Sequence, residues 1–264
     1  FKELADVDIT KEPMEVGPTC HYVMGGVEVD PDTAAAKTPG LFAAGECAGG
    51  MHGSNRLGGN SLSDLLVFGK RAGEYAAKFA QSNPRIRVKP VEIEAAVEAA
   101  LEPLTRGDAG ENPYTLHSDL QAVMGDLVGI IRRQGELEES LARLTELKER
   151  VKKVGVGGGR RYNPGWHLAL DLRNMLVVSE CTAKAALERE ESRGGHTRED
   201  YPKMDPTWRL VNLVCSLDGS DVVLERKPVP KMRDELITLF DRTELSKYLT
   251  EAELTDFDAL TEAK

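Results

Sequence analysis

His52-Gly53-Ser54-Asn55-Arg56-Leu57-Gly58-Gly59-Asn60-Ser61-Leu62 is the stretch that decides how this chain is read. It is a glycine-rich loop running into a helix. Gly58 and Gly59 let backbone approach a flat ligand. Ser61 and Asp64 have the S-x-x-D spacing of a capping box, and the helical pattern continues over 61–81. Just upstream, Pro39-Gly40 marks a turn, and 41–45 (Leu-Phe-Ala-Ala-Gly) is short enough and apolar enough for a buried strand ending at Glu46. Residues 26–30 alternate like a second strand.

Downstream the texture changes. Helical spacing of apolar residues predicts helices over 92–104, 115–133, 136–153 and 168–192. The third carries a narrow stripe of Leu137, Leu141, Leu144, Leu147 and Val151 on a charged helix. The fourth aligns Leu172, Met175, Leu176, Ser179 and Ala183. Helices of this length with short links predict an antiparallel bundle of three to four helices. The glycine tract 155–159 lacks GxxxxGK[ST] and reads as a flexible link. Further on, 208–217 and 222–227 alternate around Asp218-Gly219, a hairpin signal. The acidic tail 244–264 is expected to be exposed or partly disordered. The expected division is 1–83, 91–200 and 201–264.

A net charge of −10 and a pI near 5.2 argue against a nucleic-acid surface, which needs a basic face. The four cysteines are widely spaced, with no CxxC and no Cys/His cluster, so no metal site is expected. Reduced thiols in a cytosolic compartment are the plain reading. No apolar run reaches the ~18 residues of a membrane span, and no signal peptide is visible. The chain starts at Phe1 and reads as a cut inside a longer protein.

Three segments in order, PTCHYVMGG at 18–26, LFAAGE at 41–46 and HGSNRLGGNSL at 52–62, resemble the flavoprotein subunits of succinate dehydrogenase and fumarate reductase. The resemblance continues through YNPGW at 162–166, DLRNML at 171–176, ESRGGH at 191–196 and REDYP at 198–202, and weakens after about Leu224. It implies an α+β chain: the C-terminal piece of an FAD-binding α/β domain, a helical bundle and a small C-terminal β-hairpin region.

The resemblance further implies that His21 and Arg56 bind a substrate carboxylate. The chemistry agrees, because guanidinium forms a planar fork onto a carboxylate and histidine donates to it. Read alone, His21 could instead be a buried histidine satisfied by backbone, and Arg56 a surface ion pair. Glu46, Gly58, Gly59, Asn60, Ser61 and Leu62 are implied to bind FAD. Free N–H groups and the positive end of the helix dipole at Ser61 and Leu62 would stabilise a reduced flavin. Glu46 could equally cap a turn, and His52 could be a site residue or a structural one. Arg193, His196 and Arg198 read either as a docking cluster or as a solvated loop.

By the same resemblance the parent protein interconverts succinate and fumarate. Its partners would be an iron–sulfur subunit, which passes electrons to quinone, and one or more membrane anchor subunits. Its place would be cytoplasmic, peripheral on the inner face of the cell membrane. L-aspartate oxidase is a related alternative, and a non-catalytic helical interaction module is another. The GxGxxG of the family's Rossmann half, the histidine that bonds covalently to FAD and the proton-transferring arginine find no match in these residues. This stretch alone is therefore expected to be inactive.

Overall fold

A computed structural model describes residues 1–17, 21–85 and 87–262. After a short turn of helix, α1 (Lys2–Ala5), the first region is mostly loop. Val27 bridges Ala48 in parallel, while Val29–Ala36 and Ala35–Phe42 are antiparallel bridges. The strands expected over 26–30 and 41–45 therefore shrink to single bridges. A strand is held by a ladder of neighbours, and among the described residues each segment finds only isolated partners.

A 3-10 turn at Gly45–Cys47 leads through the glycine loop to α2 (Asn60–Ser82). The expected capping box does not form. The helix starts at Asn60, with Gly59 as a left-handed N-cap (φ 83°) and no side-chain cap. Asp64 thus lies too deep in the helix to reach the free amides, and its buried carboxylate faces His52 instead. Leu62, Leu65 and Leu66 are left exposed on α2.

The bundle comprises α3 (Pro90–Arg106), α4 (Pro113–Leu127), α5 (Gln134–Val151) and α6 (Pro164–Glu188). All four start earlier than apolar spacing suggests, α4 and α6 for one shared reason. Asn112 Oδ1 accepts from Tyr114 N at 2.8 Å, and Asn163 Oδ1 accepts from Trp166 N at 3.1 Å. Each is an Asn N-cap followed by Pro at the first helical position, upstream of the first periodic apolar residue. Three helices, α4, α5 and α6, also end early. Beyond α4, β1 (Ile131–Arg132) leaves the helix to pair in parallel with β2 (Thr197–Arg198). Beyond α6, Arg189 turns away to bind Glu191 and the carbonyls of Trp208 and Val211.

The predicted stripes form the core. Leu137, Leu144, Leu147 and Val151 of α5 meet Leu116 and Leu120 of α4 and Leu172, Leu176 and Ala183 of α6. Each such side chain contributes about 1.5–3 kcal/mol on burial. The tract 155–159 is pinned rather than flexible. Gly155 N donates to Glu111 O (3.0 Å), Val156 N to Pro103 O (2.9 Å), and Asn163 Nδ2 to Gly157 O and Gly159 O. Its glycines serve close backbone approach: a Cβ on Gly155 would fall 2.2 Å from Gly107 O.

The hairpin is present as β3 (Val211–Asp218) and β4 (Asp221–Pro228), turning through Gly219 at φ 61°. Trp208 precedes it in a 3-10 turn, buried between the guanidinium groups of Arg189 and Arg226 at 5.1 and 4.5 Å from its ring. The tail is more ordered than expected. It forms α7 (Asp234–Ile237), α8 (Arg242–Leu245) and α9 (Glu251–Glu262), which bury Leu245, Leu254 and Phe257 together. Glu253 ties this small core to Arg209. The fold class expected from the sequence is the one found.

Candidate active site

Four side chains converge where the glycine loop enters α2. His52 Nε2 lies 3.1 Å from Asp64 Oδ2, with both groups nearly sealed from water. The Tyr22 ring meets the His52 imidazole edge-on at 5.8 Å. The Arg56 guanidinium lies 4.5 Å from the centre of the Tyr22 ring. Burial, followed by the charges of Asp64 and Glu46, pushes the Tyr22 phenol upward in pKa, so it stays neutral beneath the cation.

Arg56 is the group with unspent capacity. Its Nη1 donates to Leu57 O at 3.1 Å, but its buried Nε has no hydrogen-bond partner among the described residues. A buried donor left unpaired is costly, so this Nε calls for an acceptor that the described residues do not supply. His21 is exposed near the cluster's Tyr22 in sequence, while Pro18, Thr19 and Cys20 lie outside the described residues. Glu46 caps backbone: its Oε1 accepts from Val23 N at 3.0 Å, steadying the segment that carries His21 and Tyr22.

Gly58, Gly59, Asn60 and Leu62 are exposed at the open end of α2, with Ser61 half-buried. Among the described residues, no neighbouring atom lies within 4 Å of the Cβ position of either glycine. Contrary to expectation the Leu62 amide is not free: it donates to Gly59 O at 3.1 Å, and Asn60 N donates to Leu57 O at 3.1 Å. A helix N-terminus without a side-chain cap, two glycines without side-chain cover and an apolar face of Leu62, Leu65 and Leu66 still fit a flat cofactor with an anionic edge. Tyr22 and Asp64 were missed as cluster members. Asp64 carried only a helix-capping signal, since no local pattern links it to a histidine twelve residues earlier.

The basic cluster is not a solvated loop, because its side chains turn inward onto buried partners. Arg198 is 1% exposed and forks onto Asp200 while donating to Ala186 O and Leu187 O. Arg193 forks onto the fully buried Glu191 at 2.9 and 2.8 Å. Arg132 Nη1 donates to His196 Nδ1 (2.8 Å), and His196 Nε2 donates to Arg189 O (3.0 Å), which defines one neutral tautomer.

Residues 117–258 match the family described as "Fumarate reductase flavoprotein C-term", and residues 1–62 match "FAD binding domain". The chain belongs to the succinate dehydrogenase and fumarate reductase flavoprotein family. It is 40% identical over 243 residues to the fumarate reductase flavoprotein subunit of Escherichia coli, covering 87% of this chain and 40% of that one. It is 38% identical over 230 residues to the succinate dehydrogenase flavoprotein subunit of Coxiella burnetii, covering 83% and 39%. The solved structure of Mycobacterium smegmatis Sdh1 in complex with UQ1 superposes with a TM-score of 0.88 at 61% identity, covering 96% of this chain and 43% of that one. The chain thus spans about two fifths of the length of these relatives. The family is one of oxidoreductases, and FAD is its cofactor.

Proposed function

We propose that the protein carrying this sequence interconverts succinate and fumarate. The observation that supports this most directly is Arg56, whose buried Nε is unpaired and whose guanidinium is held over Tyr22. A planar donor fixed in this way suits one end of a dicarboxylate. His21 supplies a second donor to the same carboxylate. Glu46, Gly58, Gly59, Asn60, Ser61 and Leu62 hold FAD, and the α2 N-terminus stabilises negative charge on its ring edge. FAD, when bound, supplies the two-electron redox chemistry. The chain's own residues bind and orient the substrate beside it, and Arg56 is a binding group with no part in proton transfer.

An iron–sulfur subunit would accept the electrons and pass them to quinone. Among the described residues no helix is long and apolar enough to cross a membrane. We place a membrane-embedded quinone site on anchor subunits, with the flavoprotein at the inner face of the cell membrane. The relatives' names as flavoprotein subunits and the UQ1 complex of the M. smegmatis protein support this reading.

The test is Arg56→Gln in the full-length flavoprotein, assayed for succinate-dependent dye reduction. KM for succinate should rise by about tenfold or more, as expected for loss of a charge-assisted carboxylate contact. An unchanged KM would remove Arg56 from the site. FAD titrated into residues 1–264 alone, followed by visible absorbance, should show weak binding or none.

A further inference from the structure

We propose that the turn at 193–196 is a positioning element for the substrate arginine, with Gly194 as its deciding residue; this rests on the reading of Arg56 given above. The turn meets the glycine loop at Ser54 and Asn55. Gly195 N donates to Ser54 O at 2.9 Å, two residues before Arg56. Gly194 has a φ of 59°, and a Cβ there would lie 2.4 Å from Ser54 O and 2.6 Å from both Ser54 C and Oγ. Both the backbone conformation and the contact exclude a side chain.

The turn is rigid behind its tip. Arg193 N donates to His196 O (2.8 Å) and His196 N to Arg193 O (3.0 Å), closing it. Arg193 is locked onto Glu191, which also accepts from Arg189 Nη1 (2.7 Å) and Asp205 N (2.9 Å). On the far side the His196 ring is fixed between Arg132 and Arg189 O. The loop it meets has less backbone support: Gly50, Gly53 and Gly59 all have positive φ, and among the described residues no neighbouring atom lies within 4 Å of their Cβ positions. The His52–Asp64 contact and the stacking of Arg56 on Tyr22 hold side chains of this loop, whereas the backbone at Ser54 takes its bond from the turn. The rigid turn sets the position of Ser54, and through it that of Arg56. Displacement of about 1 Å at a binding group is enough to matter.

The experiment uses the full-length holoenzyme. Gly194→Ala should raise KM for succinate by about tenfold while changing kcat much less, the signature of lost uniform binding. Gly195→Ala is the matched control. Its Cβ would meet Ser54 O at 3.6 Å, an ordinary contact, and its N–H is kept, so KM should stay within about twofold of wild type. Equal KM in both variants and wild type overturns the proposal. Arg56→Gln run alongside separates the failures. If it alone raises KM, only the positioning role falls; if it does not, the reading of Arg56 falls first.

Should Gly194→Ala not fold, the wild-type enzyme still decides. Coupling between two sites is reciprocal, so saturating malonate, a dicarboxylate that cannot be dehydrogenated, should slow hydrogen exchange of the Gly195 amide severalfold. Unchanged exchange at saturation overturns the proposal.

Discussion

Asp64 and His52 share a contact of 3.1 Å with only 3% and 9% of their side chains exposed. This pair joins the first turns of α2 to the glycine loop, and Tyr22 and Arg56 are stacked outward from it. Asp64→Ala would leave the His52 nitrogen buried without a partner, which costs about 1–3 kcal/mol. Asp64→Asn keeps an acceptor oxygen at the same place and should cost less. Thermal unfolding of both variants checks this ordering. Equal melting temperatures for wild type and Asp64→Ala would show that the pair holds nothing.

Glu191 is fully buried and receives Arg189, Arg193 and the Asp205 amide. Burial alone would raise its pKa, but these hydrogen bonds more than offset it and hold the carboxyl below its ordinary value. Glu191→Ala strands two guanidinium groups and should destabilise by about 3–5 kcal/mol. Urea unfolding measures this. A loss below about 1 kcal/mol would mean that water reaches the arginines readily.

The sequence carried the bundle well, because its signals were local. The stripe of Leu137, Leu144, Leu147 and Val151 follows from helical spacing alone, and these residues form the observed core. The strands over 26–30 and 41–45 were less legible, since a strand depends on partners distant in sequence. In the candidate site, Arg56 and the glycines were marked by their motif. The burial of Arg193, His196 and Arg198 was not, because their acceptors are Glu191, Asp200 and backbone carbonyls brought close only by the ends of α6 and the hairpin. A cluster of basic residues looks the same in sequence whether it faces water or a set of carbonyls.

Two separate pH windows follow from this network. Burial comes first in holding His196 below the ordinary imidazole pKa, and the neighbouring Arg132, Arg189 and Arg198 add to it; the bond to Arg189 O opposes them. Unfolded histidine titrates near ~6.5. Stability is therefore complete above that value and is lost as pH falls below it, since the unfolded chain takes a proton that the folded one resists. Asp200, held by Arg198, lies at about 2. Its contribution is present above ~4 and is lost as pH falls towards about 2; it amounts to about 1 kcal/mol after solvent screening. Urea midpoints between pH 7 and 3 should fall in two arms. His196→Gln should flatten the arm from pH 7 to 5 and leave the acid arm, while Asp200→Asn should do the reverse. Identical slopes for wild type and His196→Gln between pH 7 and 5 would assign that proton elsewhere.

The glycine tract offers the sharpest contrast between flexibility and close approach. A Cβ on Gly155 would meet Gly107 O at 2.2 Å and Gly110 Cα at 2.7 Å, both backbone atoms that cannot swing aside. Gly155→Ala must therefore push the segment from 153 to 156 off the loop at 107–111, breaking the bonds from Glu111 N to Lys153 O and from Gly155 N to Glu111 O. The overpacking should cost about 1–3 kcal/mol. Gly159 lies four residues on, with no neighbouring atom among the described residues within 4 Å of its Cβ position and no positive φ. Gly159→Ala should be neutral or stabilise by up to about 1 kcal/mol, by restricting the unfolded chain. Chemical unfolding of the two variants decides between the readings. Opposite signs mean a pinned strap under the bundle, and equal, small effects mean a free linker.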